Sequence, residues 1–380
     1  LPDDDDDFLD EEEKKEIKFL ISGNFHLGKT FNGFPNEIRK KLITAQEKVF
    51  DEFIKIAGEG NYAGVIIAGD LFDSLEGASL YAKKVFEDFR KVIITGASML
   101  VTTGNCDPQE EGDFWTTSIT PLSFSFYKSK QYTKLVVPKG NVTVGGIAFD
   151  PQNPNKKISD LIPEPATDLS ISIFHARIRN SQNFEHSQEY EISESEVENL
   201  PTTLAVIGGG HKFSRVGKSG IIAGSPQGSS FFEEDIGDRF FAEAILEAEK
   251  NVLIKPIPVK SSVVLEIKKV DITNKTFEEI QALVNSETGD SKIVKFLLYG
   301  DAAKELFLKI LLFEKEVKNS IVDISQVSLV QISDAESLED KFFNIMANEI
   351  SSEKNLEERK DLISSLEVGI DAIKKASENS

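Results

Sequence analysis

The chain is predicted to be an α/β protein. Short apolar runs of strand length alternate with segments of helical spacing, and those runs repeatedly end in Gly-Asp, Gly-Asn or glycine-rich turns. Its length of 380 residues exceeds what one small core requires and fits a large domain of about 250 residues followed by a smaller one.

The elements follow in order. Residues 1–16 hold ten acids against Lys14 and Lys15, a net of −8, and read as a disordered, solvated tail, with a binding element as the alternative. Ile17 to Ser22 is a strand. Asn36 to Ala57 carries Ile38, Leu42, Ala45, Val49, Phe53 and Ile56 at helical spacing, and Val65 to Ala68 before Gly69-Asp70 closes a βαβ unit. A helix around Tyr81 to Arg90 and strands at Val92 to Ile94 and Met99 to Thr102 repeat the pattern. Further strands read at Val142 to Phe149, Leu169 to Phe174 and Leu204 to Ile207. Lys255-Pro256-Ile257-Pro258 interrupts the pattern and reads as a boundary, giving a domain at 17–255, a small α/β domain at 256–335 and a helical segment at 336–380. The small domain reads as a strand at Ser262 to Val270, a helix at Phe277 to Val284, a strand at Lys292 to Tyr299 ending in Gly300-Asp301, a helix at Ala302 to Phe313 and a closing run at Ile321 to Val330. Beyond Ser337, Leu338, Phe342, Ile345, Met346 and Ile350 form an apolar stripe, either packed on the parent domain or laid on a partner.

Composition narrows the function classes. Lys and Arg total 43 against 64 Asp and Glu, a net charge of −21, which argues against a broad, non-specific grip on nucleic acid. No apolar run approaches the roughly 20 residues that span a bilayer, and the start lacks a signal-peptide pattern. The single cysteine, Cys106, excludes an internal disulfide and fits a reducing compartment, so a cytoplasmic protein is expected.

Chemistry in an open α/β sheet gathers on loops at the carboxyl ends of strands. Five such sites carry suitable side chains: Asn24 and His26 in SGNFHLG, Asp70 and Asp73 in GDLFD, Asn105 to Asp107 in GNCD, His175 in IFHARI, and His211 in GGGHK. Three of the four histidines lie at strand ends; the fourth, His186 in NFEHSQ, reads as a surface residue. Imidazole, carboxylate and amide oxygen together suit borderline divalent ions such as Mn²⁺, and a carboxylate can bridge two of them. Each residue also has a plain structural reading: a hydrogen-bonded histidine, a helix cap at Asp70, ordinary turn dipeptides. Gly23 to Thr30 also fits GxxxxGK(T/S), the phosphate-cradling loop of NTPases. That loop must open into a helix, whereas Phe31 to Pro35 contains two helix-breakers.

In order and spacing the five sites resemble the calcineurin-like metallophosphoesterases, whose motifs run DxH, GDxxD, GNH(D/E), a strand-end His and GHxH. Within them, SGNFHLGKTFNG, IIAGDLFDS and GIIAGSPQGSSFFEE are similar to segments of the SbcD (meiotic recombination eleven) nucleases. The resemblance implies a metallophosphoesterase sandwich of two sheets flanked by helices, a small α/β capping domain and a C-terminal helical segment. It implies a two-metal Mn²⁺ site in which Asn24, His26 and His211 serve the first ion, Asp70 bridges, and Asn105 and His175 serve the second. Catalytic roles would fall to His175 and to Cys106, which stands where the family has its general-acid His. Three positions depart from the pattern: Asn24 replaces the Asp of DxH, Cys106 replaces the His of GNH, and Gly209 falls at the first His of GHxH. A shifted alignment instead puts His211 and Phe213 on that motif. The resemblance further implies a homodimer formed near the Asn36 to Ala57 helix and the next one, terminal helices docked on the coiled-coil base of an SbcC-type ABC ATPase, and DNA as substrate. The three departures leave a catalytically inactive scaffold, a pseudonuclease, as the alternative.

Overall fold

Two mixed six-stranded sheets dominate the computed structural model of the chain. The structure describes residues 16–108, 125–126, 131–137, 140–153, 157–162, 167–179, 190–247, 251–329, 337–353 and 355–378. The acidic run up to residue 15 and His186 lie outside these. The chain divides into two units: Leu1–Leu27, Phe53–Ser225 and Phe240–Pro258 form one, and Gly28–Glu52, Pro226–Arg239 and Val259–Ser380 the other.

The first unit holds both large sheets. One runs in the order β14 (Val252–Pro258), β13 (Phe240–Leu246), β1 (Ile17–Ser22), β2 (Gly64–Ala68), β3 (Ser98–Thr102) and β4 (Ser125–Phe126), with β1 to β4 parallel. The other runs β11 (Ser214–Val216), β12 (Gly220–Ile222), β10 (Leu204–Gly208), β7 (Leu169–His175), β6 (Gly140–Ile147) and β5 (Gln131–Val137), with β6, β7, β10 and β12 parallel. A short parallel pair, β8 (Arg177–Ile178) and β9 (Glu191–Ile192), follows β7.

Alternation decides which face each strand turns inward. Phe19 and Ile21 of β1, Ile66 and Ala68 of β2 and Leu100 of β3 pack on Val142, Val144, Ile171, Ile173, Leu204 and Val206 of the second sheet. The opposite face of the second sheet is closed by Ile158 of α3 (Ile158–Leu161) and Val197 of α4 (Glu194–Glu198), packed with Phe174, Ala205 and Ile207. Both faces of the second sheet are therefore covered, which is why β10 (LAVIG) reads as an unbroken apolar run. The helix α2 (Leu75–Ile94) lies along β3 and buries Val85, Phe89 and Val92. The α1 helix spans Asn36–Glu59, and its Phe53 stacks on Phe25 and Phe241 within this unit.

In the second unit β15 (Val264–Asp271), β16 (Lys292–Ala302) and β17 (Ser320–Leu329) form a parallel sheet. Phe31, Phe34, Ile38, Leu42 and Ala45 pack with Leu265, Ile293 and Ile321. Val294, Phe296 and Val322 pack with α5 (Phe277–Glu287), α6 (Lys304–Glu316), α7 (Leu338–Ser352) and α8 (Leu356–Glu378).

Several sequence expectations are corrected. Val92 to Ile94 is the last turn of α2, because Val92 continues the helical face set by Val85 and Phe89 while Ile94 is exposed. Lys255 to Pro258 does not interrupt the strand pattern but continues β14, its prolines tolerated because that strand lies at a sheet edge, and the last segment of the first unit ends at Pro258. Gly300-Asp301 lies inside β16 and does not end it: Gly300, at φ +105°, pairs with Val327 and Asp301 with Ser328 of β17. On α7 the buried face is Phe343, Ala347 and Ile350, while Leu338 and Ile345 are exposed. Of the expected stripe, Ile350 is in the core and Phe342 and Met346 pack against it, whereas Leu338 and Ile345 are replaced on the buried face by Phe343 and Ala347; the helix packs within its own unit. The α1 helix starts at Asn36, beyond Phe31 to Pro35, so Gly23 to Thr30 does not open into a helix as an NTPase loop must. No helix among the described residues is long and apolar enough to cross a membrane.

Candidate metal centre

The parallel strands β1, β2 and β3 of one sheet and β7 and β10 of the other end on the same side of the first unit. The loops that leave them are tied together by backbone hydrogen bonds: Asn24 N–H to Gly69 O (2.9 Å), His26 N–H to Asp70 O (2.9 Å), Leu27 N–H to Leu71 O (2.9 Å) and Asp73 N–H to Leu27 O (3.0 Å). The third loop joins through Asp107, which is fully buried. Its Oδ1 accepts from Gly104 N–H (2.8 Å) and Asp70 N–H (3.2 Å), and its Oδ2 from Phe72 N–H (3.2 Å). Burial and the neighbouring Asp70 charge push the Asp107 carboxyl well above the usual range, against the pull of these backbone donors.

Asp70 occupies the centre. Its Oδ2 lies 3.8 Å from His26 Nε2 and 3.5 Å from His175 Nε2, so one carboxylate oxygen faces two imidazoles. Its Oδ1 accepts the Cys106 N–H at 2.9 Å. His175, the last residue of β7, also meets Asn105 Oδ1 at 2.9 Å through Nε2. That imidazole is boxed in by close backbone: a Cβ added at Gly208 would stand 2.7 Å from its Nδ1. The His211 ring lies with its centroid 5.5 Å from that of His26. All seven residues singled out from sequence as ligands or catalytic groups therefore belong to the same unit and the same set of loops.

The backbone there is held in an unfavourable conformation. Asn24 (φ +49°), His26 (φ +49°) and Asp70 (φ +48°) are three of the six non-glycine residues in the left-handed region among the described ones. Such conformations persist where the surroundings over-determine them, and they concentrate at functional sites.

The donors present fit a divalent ion. His26 is 5% exposed, and neither ring nitrogen has a hydrogen-bond partner among the described residues, although Asp73 Oδ1 approaches Nδ1 to 3.2 Å. A buried imidazole without partners is costly unless something else takes its lone pair. His26, Asp70 and Cys106 each present a ligand atom within 4.8 Å of the others.

The three departures from the motif pattern differ in consequence. Asn24 is turned to the loop after β10: its Oδ1 accepts Gly209 N–H (3.2 Å) and its Nδ2 donates to Gly210 O (2.9 Å). Gly209 adopts φ +87°, and a Cβ there would come 2.8 Å from Ala176 O, so the backbone itself disfavours any larger residue. Cys106 is a free thiol, held far above its ordinary pKa by burial and then by the charges of Asp70, Asp73 and Asp107. A proton held so firmly is poorly matched to protonating a leaving oxygen near neutrality. Phe213, the second position of the shifted alignment, packs against the core and lies 6.1 Å from the Phe240 ring, away from ligand chemistry.

Sequence reasoning named Asp73 and Asp107 without assigning either a role, and it passed over Ser225, whose Oγ donates to Asn24 O at 2.9 Å. Nothing in GIIAGSPQ marks that hydroxyl as a brace for a loop 201 residues away.

No family model and no curated protein matches the chain. Among solved structures it is similar to TT1561 of Thermus thermophilus, with 11% identity and a TM-score of 0.35 over 64% of this chain and 99% of that one. It is also similar to the purple acid phosphatase PPD1 from yellow lupin (Lupinus luteus) seeds, with 11% identity and a TM-score of 0.40 over 66% of this chain and 53% of that one.

Proposed function

We propose that the chain is a divalent-metal-dependent phosphoester hydrolase and, more finely, the DNA-cleaving subunit of an SbcD-type double-strand-break repair complex. The observation that carries the hydrolase reading is the position of Asp70 Oδ2 between His26 Nε2 and His175 Nε2, on the loops after β1 and β2 and at the end of β7. A carboxylate so placed can hold an ion against either imidazole. When bound, the ion would activate water and offset charge on the phosphoryl oxygens. The chain's own contribution is to fix Asp70 through the Cys106 N–H and the Asp107 brace, and to keep His26 dry.

The finer reading is supported by SGNFHLGKTFNG, IIAGDLFDS and GIIAGSPQGSSFFEE, which resemble SbcD nuclease segments. On that reading the chain forms a homodimer in the cytoplasm, binds an SbcC-type ABC ATPase through its terminal helices and acts on DNA with Mn²⁺. A second reading is favoured by the Asn24 amide being committed to the β10 loop and by Cys106 standing where an imidazole is expected: a scaffold that keeps the fold and has lost cleavage.

The test compares wild type and Asp70→Ala on linear and single-stranded DNA with Mn²⁺. Cleavage lost in Asp70→Ala supports the nuclease. Wild-type turnover equal to that of the variant removes it in favour of the scaffold.

A further inference from the structure

The donors around His26 are not the set that the resemblance implies, and this difference carries an inference that rests on the metal-dependent reading above. On one side of Asp70, His175 Nε2 and Asn105 Oδ1 satisfy each other at 2.9 Å. Asn24 Oδ1 already accepts a backbone N–H. On the other side His26 is buried, and neither ring nitrogen makes a hydrogen bond among the described residues, with Asp73 Oδ1 3.2 Å from Nδ1 and Asp70 Oδ2 3.8 Å from Nε2. The ligand atoms that converge with it are a carboxylate oxygen of Asp70 and the sulfur of Cys106, all within 4.8 Å of one another. His26 and Asp70 both stand on left-handed backbone, at φ +49° and +48°.

We propose that the chain binds a single divalent ion through His26, Asp70 and the thiolate of Cys106, and that the site prefers Zn²⁺ or Co²⁺ over Mn²⁺. A thiolate beside an imidazole favours Zn²⁺ and Co²⁺, whereas Mn²⁺ is better served by carboxylate and amide oxygen. Three protein donors leave a fourth position for water, the arrangement of hydrolytic zinc sites. Binding is balanced by loss of one proton: the Cys106 S–H bond breaks, the sulfur pair forms the bond to the ion, and the proton goes to solvent. Cys106 thus serves as a ligand, and the position that the family fills with an acid becomes part of the metal's own coordination.

The experiment is a Co²⁺ titration of the metal-stripped full chain followed by absorption, with Zn²⁺ and Mn²⁺ as competitors and circular dichroism as a folding control. Because Cys106 is the chain's only cysteine, a thiolate-to-cobalt charge-transfer band has one source. The expected result is one Co²⁺ per chain with that band, displaced by Zn²⁺ and not by equal Mn²⁺. Cys106→Ser should lose the band and bind Co²⁺ more than about tenfold more weakly with unchanged folding. Binding without the band, or Mn²⁺ displacing Co²⁺ as well as Zn²⁺ does, overturns this inference and leaves the hydrolase reading standing. Absence of binding by all three ions, with no hydrolysis, overturns both.

Discussion

Asp107 shows how much of the centre rests on a residue outside the proposed ligand set. Its two oxygens receive the backbone N–H groups of Gly104, Asp70 and Phe72, and no water reaches them. Asp107→Ala would leave three buried donors without an acceptor, at about 1–3 kcal/mol each. Urea denaturation should therefore show a loss of about 3 kcal/mol or more, and metal affinity should fall as Asp70 loses its brace. A loss under about 1 kcal/mol would mean that the loops are held by the ladder from Asn24 to Asp73 alone. At this scale the sequence displayed the ligand types clearly, because His26, Asp70, Asn105 and His175 stand directly after apolar runs. It did not display the commitments of those side chains. Asn24 spends its amide on backbone 185 and 186 residues away, and motif spacing carries no information about such partners.

Among the elements, α6 and α8 are joined by a buried pair, Glu314 and Arg359, with Nε to Oε1 at 3.0 Å and both side chains nearly inaccessible. Burial raises the Glu314 pKa to about 7, against the pull of Arg359. The folded value lies above the unfolded one near 4.5, so the folded state holds the extra proton between them. The contribution of Glu314 to stability is complete below about pH 4.5 and is lost as pH rises through about 7. Melting wild type against Glu314→Gln from pH 4 to 8 should show wild type losing ground across that window, while a flat difference would show a carboxylate charged throughout. Glu314→Ala at pH 8 should cost about 3–5 kcal/mol by leaving Arg359 buried and uncompensated. Neither residue announces the pair in sequence, where each reads as one more charge on a polar helix. The same limit explains the misplaced elements: apolar runs locate a buried segment, but only its neighbours decide between a last helical turn at Val92 to Ile94 and a strand, or which face of α7 turns inward. Strands β2 and β10 were legible because burial at every position makes them almost wholly apolar, whereas β7 alternates Ser170 and Ser172 with its isoleucines.

For the molecule as a whole, the α/β class was readable because alternation of strand and helix is a property of the entire chain, and so was the charge that most constrains its substrate. A net charge of −21 repels a polyanion at long range, which sits uneasily with DNA as substrate unless cations are supplied from elsewhere. On the proposed assignment the ATPase supplies them, and salt dependence measures the division. Each phosphate neutralised contributes a slope of about −0.9 to log K against log salt. Fluorescence anisotropy with duplex DNA from about 50 to 300 mM salt should give the isolated chain a slope no steeper than about −2, the signature of two phosphate contacts or fewer. The complex with the ATPase should be markedly steeper. A steep slope for the isolated chain would place the cationic surface on this protein despite its net charge, and the case for a partner as the source of DNA affinity would fall with it. Equal, shallow slopes for chain and complex would count against DNA itself, and would direct the search for substrate to smaller phosphoesters that the Asp70 centre could hydrolyse without a long charged track.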